Sequence, residues 1–160
     1  MKLISRFALI LLIMIISTSS SALASSLTSS SFIGTWRTQI KSHITIKKCG
    51  NGFCGYLSKV IIRDELYQKN KDAIDKVGFD NAYDYFNKDP ALRSRLLKNM
   101  RVLTMDMREN DLTYTGEVYN PEDGNTYKGK AEIIDHNTLR VTGCALFGLI
   151  CQSEDFVRVR

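Results

Sequence analysis

Tyr119-Asn120-Pro121-Glu122-Asp123-Gly124-Asn125-Thr126-Tyr127-Lys128-Gly129 decides how this chain is read. Pro121 presets φ for a turn, and Asp123-Gly124 supplies its left-handed end. Leu112 to Tyr119 before it and Thr126 to Ile134 after it have the composition of strands, so the predicted element is a β-hairpin between tyrosines.

The same pattern continues on both sides. Downstream, Asp135-His136-Asn137 is a tight turn, Leu139 to Ala145 a strand, and Phe156-Val157-Arg158-Val159 the last strand. Upstream, Val102 to Met107 alternates and ends at a polar turn, Glu109-Asn110-Asp111. Phe32 to Thr38 opens the series. His43 to Lys48 places Ile44 and Ile46 on one face, and Gly55 to Ile62 returns as the third strand. Between the third and fourth strands the period changes. Leu66, Tyr67, Ile74 and Val77 sit near helical spacing up to Gly78, and Asp89-Pro90 is a helix start, with Asp as cap, for a short helix through Leu97. Asn99 suits the left-handed position after that helix. Asp84 to Asn87 fits neither period. The expected fold is therefore mainly β, about eight antiparallel strands with a short helical insertion, as an up-and-down barrel or an open sandwich.

At the N-terminus, Lys2 and Arg6 precede an apolar run from Phe7 to Ile16, and Ala22-Leu23-Ala24 has the form a signal peptidase cuts. The run is shorter than the roughly 20 residues a membrane span needs. The expected division is a signal peptide over 1–24, a serine-rich spacer over 25–31, and one β domain over 32–160, with a periplasmic or secreted mature chain that has no transmembrane segment. Losing Lys2 and Arg6 lowers the net charge from +5 to +3, a balance that gives no reason to expect nucleic acid.

Cys49, Cys54, Cys144 and Cys151 form two close pairs. In an exported chain, bridges Cys49–Cys54 and Cys144–Cys151 are favoured over a zinc site, since each pair brackets a turn and neither spacing is C-x-x-C. Gly50-Asn51-Gly52-Phe53-Cys54-Gly55 matches G-x-G-x-x-G in letters only, because a strand follows it where a dinucleotide site needs a helix. His43 and His136 sit on a strand face and in a turn. No G-x-S-x-G, H-E-x-x-H or phosphate loop occurs. Glu117, Glu122, Asp123 and Glu132 near one hairpin are the nearest thing to a carboxylate pair. Neither a catalytic set, a metal nor a cofactor is expected.

Several segments occur together in a recognisable order: Gly34-Thr35-Trp36, Cys49-Gly50 with Cys54-Gly55, Asp89-Pro90-Ala91-Leu92-Arg93-Ser94-Arg95, the hairpin quoted first, and Phe156-Val157-Arg158-Val159. Together they resemble the exported bacterial family called domain of unknown function 2147. This chain departs from that pattern at Leu96, where a proline is usual, at Asn99, where a glycine is usual, and in a longer Asp64 to Phe86 connection. The resemblance implies a compartment and a fold, not a reaction. Gly34-Thr35-Trp36 is also similar to the opening of lipocalin-like barrels, in which a C-terminal arginine covers the tryptophan. The implied barrel closure pairs Trp36 with Arg158, with Arg160 second, because a guanidinium can stack on an indole and bond nearby carbonyls.

A lipocalin-like barrel implies an interior ligand, so the expected function is binding of a small apolar or amphipathic molecule. Trp36, Tyr56, Tyr119 and Tyr127 are its candidate walls, and Arg93 or Arg95 its orienting polar groups. Arg95 has a structural alternative, a tie to Glu122 or Asp123. The competing reading of the whole chain is a cell-envelope interaction or assembly module without ligand, its protein partner unspecified.

Overall fold

In the computed structural model, residues 26–159 are described; the leader and its cut site at Ala24 lie outside them, as does Arg160. Eight strands close into one antiparallel barrel: β1 (Gly34–Arg37), β2 (His43–Cys49), β3 (Gly52–Lys59), β4 (Arg101–Asn110), β5 (Thr113–Asn120), β6 (Asn125–Asp135), β7 (Thr138–Ala145) and β8 (Ile150–Arg158). Each strand pairs with the next, and β8 returns to β1 through Trp36↔Arg158 and Arg37↔Val157.

This up-and-down order sorts the connections by rim. The β2–β3, β4–β5 and β6–β7 turns share one rim with the chain entering β1 and leaving β8. The other rim gathers the β1–β2 loop, the insertion between β3 and β4, the β5–β6 turn and the β7–β8 loop. The first rim is closed and the second is built of loops.

Side-chain alternation fills the middle. Ile44 and Ile46 of β2, Leu103 and Met105 of β4, Ala131 and Ile133 of β6, Leu139 and Val141 of β7 and Phe156 of β8 all point inward and are buried. An eight-stranded barrel has an interior that side chains alone can occupy. Fully burying residues of this kind stabilises by about 1.5–3 kcal/mol each.

At the closed rim, the 3-10 turn Ser29–Phe32 carries Phe32 under the barrel, where it stacks on Phe53 at 5.0 Å and meets Tyr114 edge-on at 5.3 Å. Trp36 is 0% exposed and its Nε1 donates to Phe32 O at 2.9 Å. Arg158 lies 4.0 Å from the Trp36 ring centroid. Its Nε donates to His136 O at 2.7 Å, Nη1 to Ile33 O at 3.1 Å and Nη2 to Ser31 O at 2.5 Å. Gly34 belongs there for two reasons: its φ is +141°, and a Cβ would stand 2.7 Å from Arg158 Nη1.

Several boundaries differ from the sequence reading. β3 begins at Gly52, not Gly55, because its first residues pair with β2 and leave only Gly50-Asn51 as the turn. β3 stops at Lys59, so Val60 to Ile62 already belong to the insertion. β4 continues to Asn110, leaving a two-residue turn. β8 begins at Ile150, not Phe156, because its first half pairs along β7 with little inward apolar surface to announce it. The helix expected through Leu97 is one 3-10 turn, Pro90–Leu92, capped by Asp89 Oδ1 from Ala91 N at 2.9 Å. The backbone then leaves helical geometry because the Arg95 carbonyl accepts from Asp84 N at 3.0 Å. Asn99 has φ +64°. In the first part of the insertion, α1 (Asp64–Lys69) and α2 (Lys71–Val77) end at Gly78.

Both cysteine pairs are at bonding distance, Cys49–Cys54 with S–S 1.97 Å and Cys144–Cys151 with S–S 2.01 Å. They brace turns on opposite rims. Among the described residues no helix is long and apolar enough to cross a membrane.

Candidate functional site at the loop rim

The second half of the insertion, residues 82–99, folds back as a flap on the outside of the barrel. Two backbone bonds hold it as a narrow ladder: Asp84 N to Arg95 O at 3.0 Å and Leu97 N to Ala82 O at 2.8 Å. Its centre is Asp84, a carboxylate with 0% exposure. Oδ1 accepts from Tyr119 Oη at 2.6 Å, and Oδ2 accepts from Asn87 Nδ2 at 2.7 Å and Arg95 Nε at 2.8 Å. A buried carboxylate is tolerated only when partnered this completely. The Arg95 guanidinium also lies 5.1 Å from the Tyr119 ring centroid, and Arg93 Nε donates to Asn87 O at 2.8 Å. Burial, and then the neighbouring Asp84 carboxylate, raise the Tyr119 phenol above its ordinary pKa.

The hairpin turn receives this flap. Asn120 Oδ1 accepts from Glu122 N at 3.0 Å and Asp123 Oδ1 from Asn125 N at 2.9 Å, both side chains bonding two residues ahead. Gly124 has φ +70°, and a Cβ there would stand 1.8 Å from Phe86 O, so the flap's backbone rests directly on the turn. Arg63, just before α1, pairs with Glu122 and ties the insertion's beginning to the same turn.

Between flap and barrel wall lies an open cleft of about 480 Å³. Leu92, Val102 and Tyr119 supply apolar surface; Lys88, Arg95 and Arg101 are cationic, while Asp89 and Glu117 are anionic. Lys88, Arg101 and Glu117 make no ion pair among the described residues. A second open cavity of about 550 Å³ separates Val60 and Ile61 from Phe79 and the Asp80–Lys98 ion pair.

The structure distributes the residues singled out in the sequence. Tyr119 and Arg95 meet around Asp84 and line the cleft. Arg93 braces the flap without lining it. Arg95 bonds Asp84, not Glu122 or Asp123, because the flap turns it toward its own buried carboxylate. Trp36 is packed into the closed rim. Tyr56 shares a register position with Thr45, opposite in phase to Ile44 and Ile46, so it faces outward and away from the interior. Tyr127 shares the face of Gly129 and Ala131, but it stands at the loop rim with its hydroxyl on Asp123 Oδ2 at 2.5 Å. The four carboxylates do not converge: Glu122 holds Arg63, Asp123 holds Tyr127, Glu132 lies beside Lys130, and Glu117 alone enters the cleft. His43 and His136 lie at opposite rims. Burial, then Lys59 and Arg37, lower the pKa of His43.

Sequence reasoning missed Asp84, Asn87 and Arg101. A signal for Asp84 did exist: an acid inside the aromatic run Tyr83-Asp84-Tyr85-Phe86 is out of place unless its charge is used.

No curated protein matches this chain. Among solved structures, it is similar to a Helicobacter pylori protein described as belonging to the lipocalin family, with TM-score 0.60 and 20% identity, covering 81% of this chain and 83% of that one. At that identity the likeness concerns the fold: both are lipocalin-like barrels. The family model described as "uncharacterized protein conserved in bacteria (DUF2147)" matches residues 34–158, from the glycine under Arg158 to Arg158 itself, with the Asp84 cluster inside the match. The chain belongs to the DUF2147 family.

Proposed function

We propose that this protein is a binding module that takes a small amphipathic molecule into the cleft between the flap and the outer face of β4, β5 and β6. The observation that carries the reading is the cleft's chemistry. Its volume falls in the range of ligand sites, roughly 300–1,000 Å³. Its apolar side is the exposed Leu92 and the Tyr119 ring, backed by the buried Val102, and Arg101 and Lys88 bring positive charge that no acid in the described chain offsets by pairing. An acidic head group would meet Arg101 while an aliphatic portion covers Leu92 and the Tyr119 ring.

The barrel interior is a weaker candidate, since Phe32, Trp36, Leu103, Met105 and Leu139 occupy it at 2% exposure or less. Moving the ligand outside keeps the amphipathic molecule and changes its seat. The two disulfides support an oxidising compartment for the mature chain. An assembly module without ligand predicts an empty cleft.

Native mass spectrometry of protein purified from its own host tests this. Thr104 lines the cleft between Val102 and Glu117, and the expected spectrum contains a small non-protein mass, absent from a folded Thr104→Trp variant that fills the cleft. A parent protein without such a mass, or a variant that keeps it, overturns the reading.

A further inference from the structure

The β7–β8 connection is unlike any other part of the surface. Ala145-Leu146-Phe147-Gly148-Leu149-Ile150 contains no ionisable group. Phe147 is 98% exposed, Leu149 84%, Leu146 61% and Ile150 56%. Isolated exposed apolar residues are ordinary, but four within five positions on one tip are not.

The tip is also fastened at its base. β7 and β8 stay in register as far as Ala145↔Ile150, and the Cys144–Cys151 bond clamps the loop at its base. Leu146 at φ +48°, Phe147 at +58° and Gly148 at +93° then fold it into a tight convex turn. The turn therefore presents these side chains to solvent.

We propose that this loop is a membrane-docking finger, which inserts Leu146, Phe147 and Leu149 into the interfacial layer of an anionic lipid bilayer. Size separates a bilayer from a protein as occupant. A stable protein interface needs roughly 800 Å² from each partner and some 20 residues, and a six-residue convex tip offers neither the area nor a self-complementary face. A bilayer asks only for depth, because lipid chains close around any apolar protrusion. Charge agrees. Lys128, the register partner of Cys144 on one side and of Glu117 on the other, is exposed at the finger's base and makes no ion pair among the described residues. Lys41, likewise unpaired among them, stands exposed in the β1–β2 loop on the same rim. Cations beside an apolar tip meet the phosphates of the head groups as the tip enters. The proposal does not depend on what the cleft binds.

Co-sedimentation with vesicles of mixed phosphatidylethanolamine and phosphatidylglycerol tests it, with phosphatidylcholine vesicles for comparison. The protein is expected to pellet with the anionic vesicles, and a Phe147→Ser, Leu149→Ser double variant to lose at least about tenfold in partition. Both positions are exposed, so far-UV circular dichroism and thermal melting should leave the variant's barrel unchanged. In Phe147→Trp, brominated lipid should quench the new indole and spare the enclosed Trp36. A Cys144→Ala, Cys151→Ala pair should weaken binding by releasing the clamp. Thr104→Trp should bind vesicles like the parent, which separates failure here from failure of the cleft. Equal pelleting of parent and double variant overturns the proposal. So do no pelleting at all, a Phe147→Trp indole that brominated lipid leaves unquenched, and a concentration-dependent dimer that the double variant abolishes.

Discussion

At the closed rim Phe32, Phe53 and Tyr114 bury their rings against one another, and Trp36, bonded to Phe32 O, is buried beneath a single guanidinium. At the loop rim the central group is a carboxylate, Asp84, wrapped by a phenol, an amide and Arg95. Both arrangements place an arginine over an aromatic ring, Arg158 on Trp36 and Arg95 on Tyr119, yet they stabilise differently. The first gains from area removed from water, and its arginine bonds backbone carbonyls that would be present whatever the side chains. The second gains from direction: every bond in it depends on one acid being in one place. An apolar plug couples to the whole core. A polar cluster on the barrel's outside fastens only what it touches, which is the flap over the cleft. Segments fastened in this way belong to the less stable parts of a fold.

The largest test of this contrast is Trp36→Ala. Removing a fully buried indole should cost about 4 kcal/mol of global stability. Urea unfolding followed by far-UV circular dichroism reads it, since Trp36 is the chain's one tryptophan and fluorescence is lost with it. Transitions should remain cooperative. A loss near 1 kcal/mol would mean that the closed rim is not part of the main core.

Asp84→Ala should behave otherwise. It leaves Tyr119, Asn87 and Arg95 without their acceptor and should cost about 2 kcal/mol, discounted because Arg95 is partly solvated. The cost should be local. Amide exchange is expected to accelerate across 82–99 and stay unchanged in β6 and β7. If Asp84→Ala lowers global stability as much as Trp36→Ala, the flap and barrel are one unit and the contrast between the rims is wrong.

The two rims were also unequally legible in the sequence. The pairing of Gly34-Thr35-Trp36 with Arg158 came from the resemblance to lipocalin-like barrels, not from the residues alone, and the structure brings the two together. The hairpin around Pro121 was legible from the residues themselves, since its turn chemistry lies within a few positions. Asp84 was not, because two of its three partners stand 11 and 35 positions away and a carboxylate carries no periodic signal of burial. The residues from Arg93 to Leu97 follow the helix start at Asp89-Pro90, but tertiary bonds to Asn87 and Asp84 end the helix after one turn. The opening of β8 was hidden by polar residues from Gln152 to Asp155, whose strand character comes from pairing with β7 and not from a buried face. The finger at Phe147 was visible only as a turn; its exposure is a fact of three dimensions.

The smallest effect gives the sharpest separation between the rims, because it adds a pH signature. Tyr119 donates to Asp84 at 2.6 Å, and its pKa in the fold is raised above the ordinary value of 10.0, first by burial and then by that carboxylate. The folded protein thus holds the phenolic proton more tightly than the unfolded chain does. The associated stability is complete below the unfolded phenol's pKa and is lost as pH rises from there through the folded one. Tyr119→Phe removes the hydroxyl and should cost about 1 kcal/mol at neutral pH. It should also flatten the alkaline fall in stability measured by urea titration on either side of the phenol's ordinary pKa. Tyr127 is raised as well, by its hydrogen bond to Asp123, so Tyr127→Phe is the necessary control and should leave the Asp84-linked component in place. A Trp36 variant should shift the whole curve downward without changing that alkaline slope. If Tyr119→Phe keeps the parent's slope, the proton is not held by the Asp84 cluster, and directed bonding is not what fastens the flap.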